Sequence, residues 1–159
     1  MSEVARIIDE LEREHGGDPW HGSPLRDLLH GIDAAQAARR PLPGGHSIWE
    51  LVLHVTGWKR EAAKRVAGGA ASEPEAGDWP AVGDPTTPRW KKAVADLESA
   101  HRDLIAAIAA LPEEKLLAPT NDQRDRPLGA GVSYYVLLHG IVQHDVYHAG
   151  QIALLKKAV

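Results

Sequence analysis

Apolar residues recur at helical spacing along most of the chain, in runs separated by glycine- and proline-rich breaks. Over residues 2–15, Val4, Ile7, Ile8 and Leu11 share one face of a helix, and Gly16-Gly17-Asp18-Pro19 ends it. A short helix is predicted from Ser23, with Pro24 in its first turn, carrying Leu25, Leu28 and Leu29. Residues 34–39 add another turn before Pro41-Leu42-Pro43-Gly44-Gly45.

The second long helix opens at Ser47, whose hydroxyl caps it while Glu50 reaches back, a capping box. Ile48, Leu51, Val52, Val55, Ala62 and Val66 form its apolar stripe, and Gly68-Gly69 stops it. Residues 70–87 show no period and read as one long connection. Thr87-Pro88 starts the third long helix, whose stripe is Trp90, Val94, Leu97, Leu104, Ile105 and Ile108, up to Pro112. After a polar stretch over residues 120–131, Ser133 caps the last helix, which is predicted to reach about Lys157. No segment alternates with period two. The expectation is an all-α chain, a single domain over residues 1–159. Its architecture is a four-helix bundle with one long crossover between long helices two and three, which lets those two run parallel.

Composition narrows the function classes. With 18 Lys and Arg against 22 Asp and Glu the net charge is −4, which argues against a nucleic-acid binder. The absence of cysteine removes disulfides, thiolate ligands and a Cys nucleophile. No window approaches the ~18 continuous apolar residues of a membrane span, and the first residues lack the pattern of a signal peptide. The expected location is therefore cytoplasmic, with no membrane or nucleic-acid partner. Two features stand out: nine histidines, and five tryptophans with no phenylalanine.

The last helix carries the chemistry. At 100° per residue, Leu137, Ile141, His144, His148 and Leu155 fall into one row, so two imidazoles replace aliphatic residues in its middle. Spaced four apart, the two rings either converge on one ion or line a groove as separately hydrogen-bonded residues. His54 is a third candidate, at the edge of the second long helix's stripe, one turn after Glu50 and one before Trp58. Three neutral imidazoles leave an open position on a divalent ion, as in a catalytic site. Imidazole and carboxylate donors suit zinc, nickel, iron or manganese and decide little among them; zinc or nickel is expected first, iron or manganese next.

Other residues are read both ways. His101, centred on the stripe of the third long helix, is a further ligand or proton donor, or, the favoured reading, a buried histidine bonded to a carboxylate or carbonyl. Asp145 either orients a ligating ring or, the favoured reading, is a solvated surface acid. Trp20 and His21 precede a short helix, where Trp20 roofs a pocket or anchors the loop as a buried indole. His139 faces away from His144; His15, His30 and His46 lie near helix ends as ordinary polar residues; Tyr147 supplies a core hydroxyl.

Taken together these motifs are identifiable. His46-Ser47-Ile48-Trp49-Glu50-Leu51-Val52-Leu53-His54, with Trp58 following, resembles the second-helix signature of the DinB/YfiT-like family of damage-inducible proteins. His144-Asp145-Val146-Tyr147-His148-Ala149-Gly150-Gln151-Ile152 resembles that family's last-helix signature, and Trp20-His21-Gly22 with Leu25, Leu28 and Leu29 is also similar. The resemblance covers roughly residues 1–157. It implies a four-helix bundle, a divalent metal on His54, His144 and His148, and a homodimer. The activities it implies are metal-dependent hydrolysis or transfer using a low-molecular-weight thiol such as bacillithiol, mycothiol or glutathione.

The leading expectation is thus a metal-dependent enzyme acting on a small molecule, in which the metal acidifies a bound water or thiol. His21 or His101 is a candidate proton shuttle. The alternatives are a non-catalytic metal-binding stress-response protein with a structural or sensory ion, and a plain helical interaction module.

Overall fold

The structure, a computed structural model, describes residues 1–125 and 131–159. Part of the polar stretch 120–131, residues 126–130, lies outside them. The described residues form helices Glu3–Gly16 (α1), Leu25–Leu29 (α2), Ala34–Ala38 (α3), Ile48–Val66 (α4), Thr87–Ala109 (α5) and Tyr134–Leu155 (α6), with one 3-10 turn at Glu113–Lys115. They contain no strand, only an isolated bridge between Pro119 and Ser133. The all-α reading holds. Among the described residues no helix is long and apolar enough to cross a membrane.

The four long helices close a ring. α4 packs most extensively on α5 and also on α6, and α1 packs on both α5 and α6. The short helices cover parts of this ring: α2 lies on α1 and α6, and α3 on α4 and α5.

Local chemistry sets the helix starts. The Ser47 hydroxyl accepts from the Glu50 amide at 3.2 Å while the Glu50 carboxylate accepts from the Ser47 amide at 2.8 Å, the expected capping box. Ser133 caps α6 through the Val136 amide. α5 differs slightly: Thr86 is its cap residue, and Thr87 and Pro88 form the first turn without a side-chain cap bond. Proline suits that turn because its missing N–H has no helical partner there anyway.

The apolar core is divided. One cluster gathers Val52 and Val55 of α4, Leu97 of α5 and Ile152 of α6, with Trp49 and Trp90 and the leucines of α2. The other gathers Ile7 and Leu11 of α1, Ala62 of α4, Leu104 and Ile108 of α5 and Ile141 of α6. Between them, each long helix contributes a buried polar side chain: Glu14, Lys59, His101 and Asp145. Lys59 and Asp145 are both 0 % exposed. A charge removed from water survives only if paired, and these two are paired with each other.

Candidate metal centre

Three imidazoles from two helices meet beside this polar layer. The Nε2 atoms of His54 on α4 and His144 on α6 are 2.9 Å apart. His148, one turn along α6, completes a group whose donor atoms lie within 4.8 Å of one another. His54 and His148 are buried, while His144 keeps a quarter of its side chain exposed.

Each outer ring nitrogen is held in a way that bears on the inner one. The Nδ1–H of His54 donates to the Asp78 carbonyl oxygen at 2.7 Å. A carbonyl only accepts, so neutral His54 carries its proton on Nδ1 and presents a bare Nε2 to the cluster. The Nδ1–H of His148 donates to the Oε1 of Gln151 at 2.6 Å, with the same consequence. The Nδ1 of His144 lies 3.7 Å from the Asp145 carboxylate, too far for a direct hydrogen bond. Burial lowers the pKa of His54, and lowers that of His148 to about 4, with the neighbouring rings adding to the effect. His54 and His148 are therefore neutral at pH 7, the protonation state that ligates a metal.

This donor set fits a divalent ion. The bare Nε2 of His54 faces the Nε2 of His144 at 2.9 Å, and that contact holds either an N–H donated by His144 or an ion shared by both. That spacing lets both lie about 2.0–2.1 Å from one ion. Carbonyl and amide partners on the outer nitrogens are the usual supports of ligating histidines.

The walls of the cluster come from a part of the chain that carries no periodicity. Asp78 and Trp79 belong to the connection between α4 and α5. The Trp79 indole stacks on His54 at 3.9 Å and on His46 at 3.5 Å. The Trp58 indole N–H donates to the Asp78 carboxylate at 2.8 Å, so one loop residue holds both His54 and Trp58. This connection comes close because α4 carries Gly57, where a Cβ would stand 3.1 Å from that of Pro74. The sequence reading missed Asp78, Trp79 and Gln151. The only signal was a lone aromatic, Asp78-Trp79-Pro80, in an otherwise small and polar segment.

Residues 20–152 match the DinB superfamily. The chain belongs to the DinB superfamily. Its fold is similar to a crystal structure described as the conserved protein of locus from Enterococcus faecalis, with a TM-score of 0.72 and 16% identity over 100% of this chain and 98% of that one. At that identity the likeness speaks for the fold alone. None of the curated proteins matches.

In this DinB superfamily member several expectations about neighbouring residues need correction. Asp145 is no surface acid: it is fully buried, because α6 packs on α1, α2 and α4 and so buries more than one face. His15 is not an ordinary polar residue at a helix end. It is 1 % exposed, bonded to Glu98 at 3.0 Å and stacked on His101 at 3.8 Å. Trp20 neither roofs a pocket nor anchors its loop, because its side chain is fully exposed. Tyr147 is 65 % exposed and gives no core hydroxyl; its ring meets His148 edge-on from outside. His21 lines a groove with Leu28, Val146 and Lys156, apart from the groups around the three rings. His101 is buried as favoured, its Nδ1 3.4 Å from the Lys59 ammonium and its Nε2 3.5 Å from Glu12. His139 faces Glu3 and Glu10 of α1, away from the cluster.

Proposed function

We propose that the chain binds a divalent metal, zinc or nickel first and iron or manganese also, through His54, His144 and His148. We propose further that it works as a metal-dependent enzyme on a small molecule, of the thiol-dependent S-transferase or hydrolase type. The observation that carries this reading is the convergence of three imidazoles, two of which turn their proton-bearing nitrogens outward, His54 to Asp78 and His148 to Gln151. The same reading takes the protein as a cytoplasmic homodimer with no nucleic-acid partner.

A bound ion would supply Lewis acidity, lowering the pKa of a water or thiol at its open position and polarising an electrophile. The protein's own residues do the rest. Asp78 and Gln151 fix the ring orientations of His54 and His148. Trp79 covers one face of His54 and limits water there. His144, the most exposed of the three, lies on the side from which a substrate approaches.

The test is metal analysis of protein purified without an affinity tag, followed by thiol-transfer and hydrolysis screens with the metal found. Near-stoichiometric metal that disappears in His54→Ala, with turnover in either screen, supports the reading. Metal without turnover across both screens favours a structural or sensory ion, and absence of metal removes the reading.

A further inference from the structure

We infer that the substrate of this centre carries a compact, uncharged apolar group, an aryl ring or short alkyl chain, held in a cavity between α4 and α6. The inference rests on the proposed metal site.

The cavity measures about 200 Å3 and shares two walls with the histidine cluster, Trp58 and His144. The Trp58 ring lies 6.2 Å from His144 and 6.3 Å from His54. A ligand whose polar end sits at the three imidazoles therefore has this space within reach of its next few atoms. The remaining lining is almost wholly apolar: Ala62 from α4, and Leu137 and Ile141 from α6. An apolar cavity of about 150 Å3 takes a benzene molecule, so this space, open to solvent along Val136 and Gly140, has room for a group of that size.

Its single formal charge is already committed. Arg65 donates through Nε to Glu61 at 2.9 Å and through Nη2 to the Ser72 carbonyl at 2.7 Å, and its guanidinium lies 5.6 Å from the Trp58 ring centre. Glu61 in turn accepts from Lys64 and the Ser72 amide. A carboxylate or ammonium set against this lining would give up part of its hydration and gain no dedicated partner, which is costly. An apolar group gains by burial. The lining thus selects for the absence of charge.

Gly140 gives a clean handle. It lines the cavity one turn before His144, and a Cβ built there meets nothing within 4 Å. Gly140→Leu therefore fills the space from α6 and exchanges a poor helix former for a good one.

The experiment uses zinc-loaded full-length protein and three hydroxamates, which chelate zinc through the same head group. These are acetohydroxamate, benzohydroxamate and 4-carboxybenzohydroxamate, titrated by calorimetry. Burying the phenyl ring should tighten binding about ten-fold or more over the methyl compound, and the added carboxylate should cancel the gain. In Gly140→Leu, with zinc content and melting checked, the ratio between benzo- and acetohydroxamate should fall to about one. Ala62→Leu fills the same space from α4 and keeps the test alive if the first variant fails to fold. Acetohydroxamate binding with no phenyl gain, or a gain that survives both fillings, overturns this inference and leaves the metal site standing. Failure of the protein to bind zinc, nickel, iron or manganese, or of the loaded form to bind acetohydroxamate, overturns the proposed function and this inference with it.

Discussion

The Lys59 ammonium lies directly against the Asp145 carboxylate, and neither side chain reaches solvent. The pair ties α4 to α6 in the layer that divides the apolar core, one residue along the chain from His144. Asp145 also borders His144 at 3.7 Å, so the pair sets the floor on which that ring rests. Burial alone would push the Asp145 carboxyl up; the Lys59 charge outweighs it and holds the carboxyl low.

Breaking this pair should be expensive. Lys59→Met leaves a charged carboxylate without its partner in the core, and should destabilise the fold by about 3–5 kcal/mol. The double variant Lys59→Met/Asp145→Asn should recover much of that loss. Urea melts of both single variants and the double give the coupling energy; simple additivity would show that the pair does not act as a unit.

Glu14 predicts an alkaline loss of stability. It is buried, both carboxylate oxygens lack a hydrogen-bond partner, and burial together with the nearby Asp145 raises its pKa from 4.5 to about 8 despite the Lys59 charge. The charges that act on it are those of Asp145 on α6 and Lys59 on α4, with His15 next to it on α1. The folded state then keeps a proton that the unfolded state releases. This contribution to stability is complete below about 4.5 and is lost as pH rises through about 8. Between pH 6 and pH 8 the wild type should lose about 2 kcal/mol relative to Glu14→Gln, at about 1.4 kcal/mol per pKa unit. Urea melts of both proteins across that interval check this, and parallel curves would exclude it.

His15 shapes the acid side with the opposite sign. Burial and the Lys59 charge lower its pKa to about 4, so the folded state resists protonation. Its contribution is present above about 6.5 and lost as pH falls toward about 4. His15→Gln should flatten the stability curve over that interval.

His148→Ala should weaken zinc binding by more than about 100-fold, beyond what losing a ligand's hydrogen-bond partner costs. The helical signal should stay intact, because both apolar clusters keep all their members. His101→Ala should leave zinc affinity in place, since its ring contacts Lys59 and Glu12 rather than the cluster. A chelator competition assay separates the two; equal loss in both would bring His101 into the site.

Gly57→Leu should uncouple the loop from the site. The new side chain has no room beside Pro74, so the connection must lift, and with it the Asp78 carbonyl that holds His54. Zinc affinity should fall about 10–100-fold. The intrinsic stability of α4 should rise, because leucine is the better helix former. Unchanged affinity would mean that His54 orients without Asp78.

The sequence by itself determined the helices, the Ser47 capping box and the row that carries His144 and His148, because these follow from residues a few positions apart. Period and cap chemistry are local, and a helix displays them before it meets anything. It also singled out His54 by its place at the edge of a stripe. Tertiary structure decided what faces each side. Asp145 lies one residue from His144 and so points about 100° away, into the space between helices where Lys59 waits. An assumption of one buried face fails for α6, which is buried on several and exposes mainly a strip through Val136, Gly140, Gln143, Tyr147, Gly150 and Leu154. Asp78 and Trp79 reach His54 from across 24 and 25 positions of chain through a segment with no period to place it. The packing of Pro74 on Gly57, with Ser72 bonded to Glu61 and Arg65, brings that segment down onto α4, and contacts of that kind leave no pattern in the sequence.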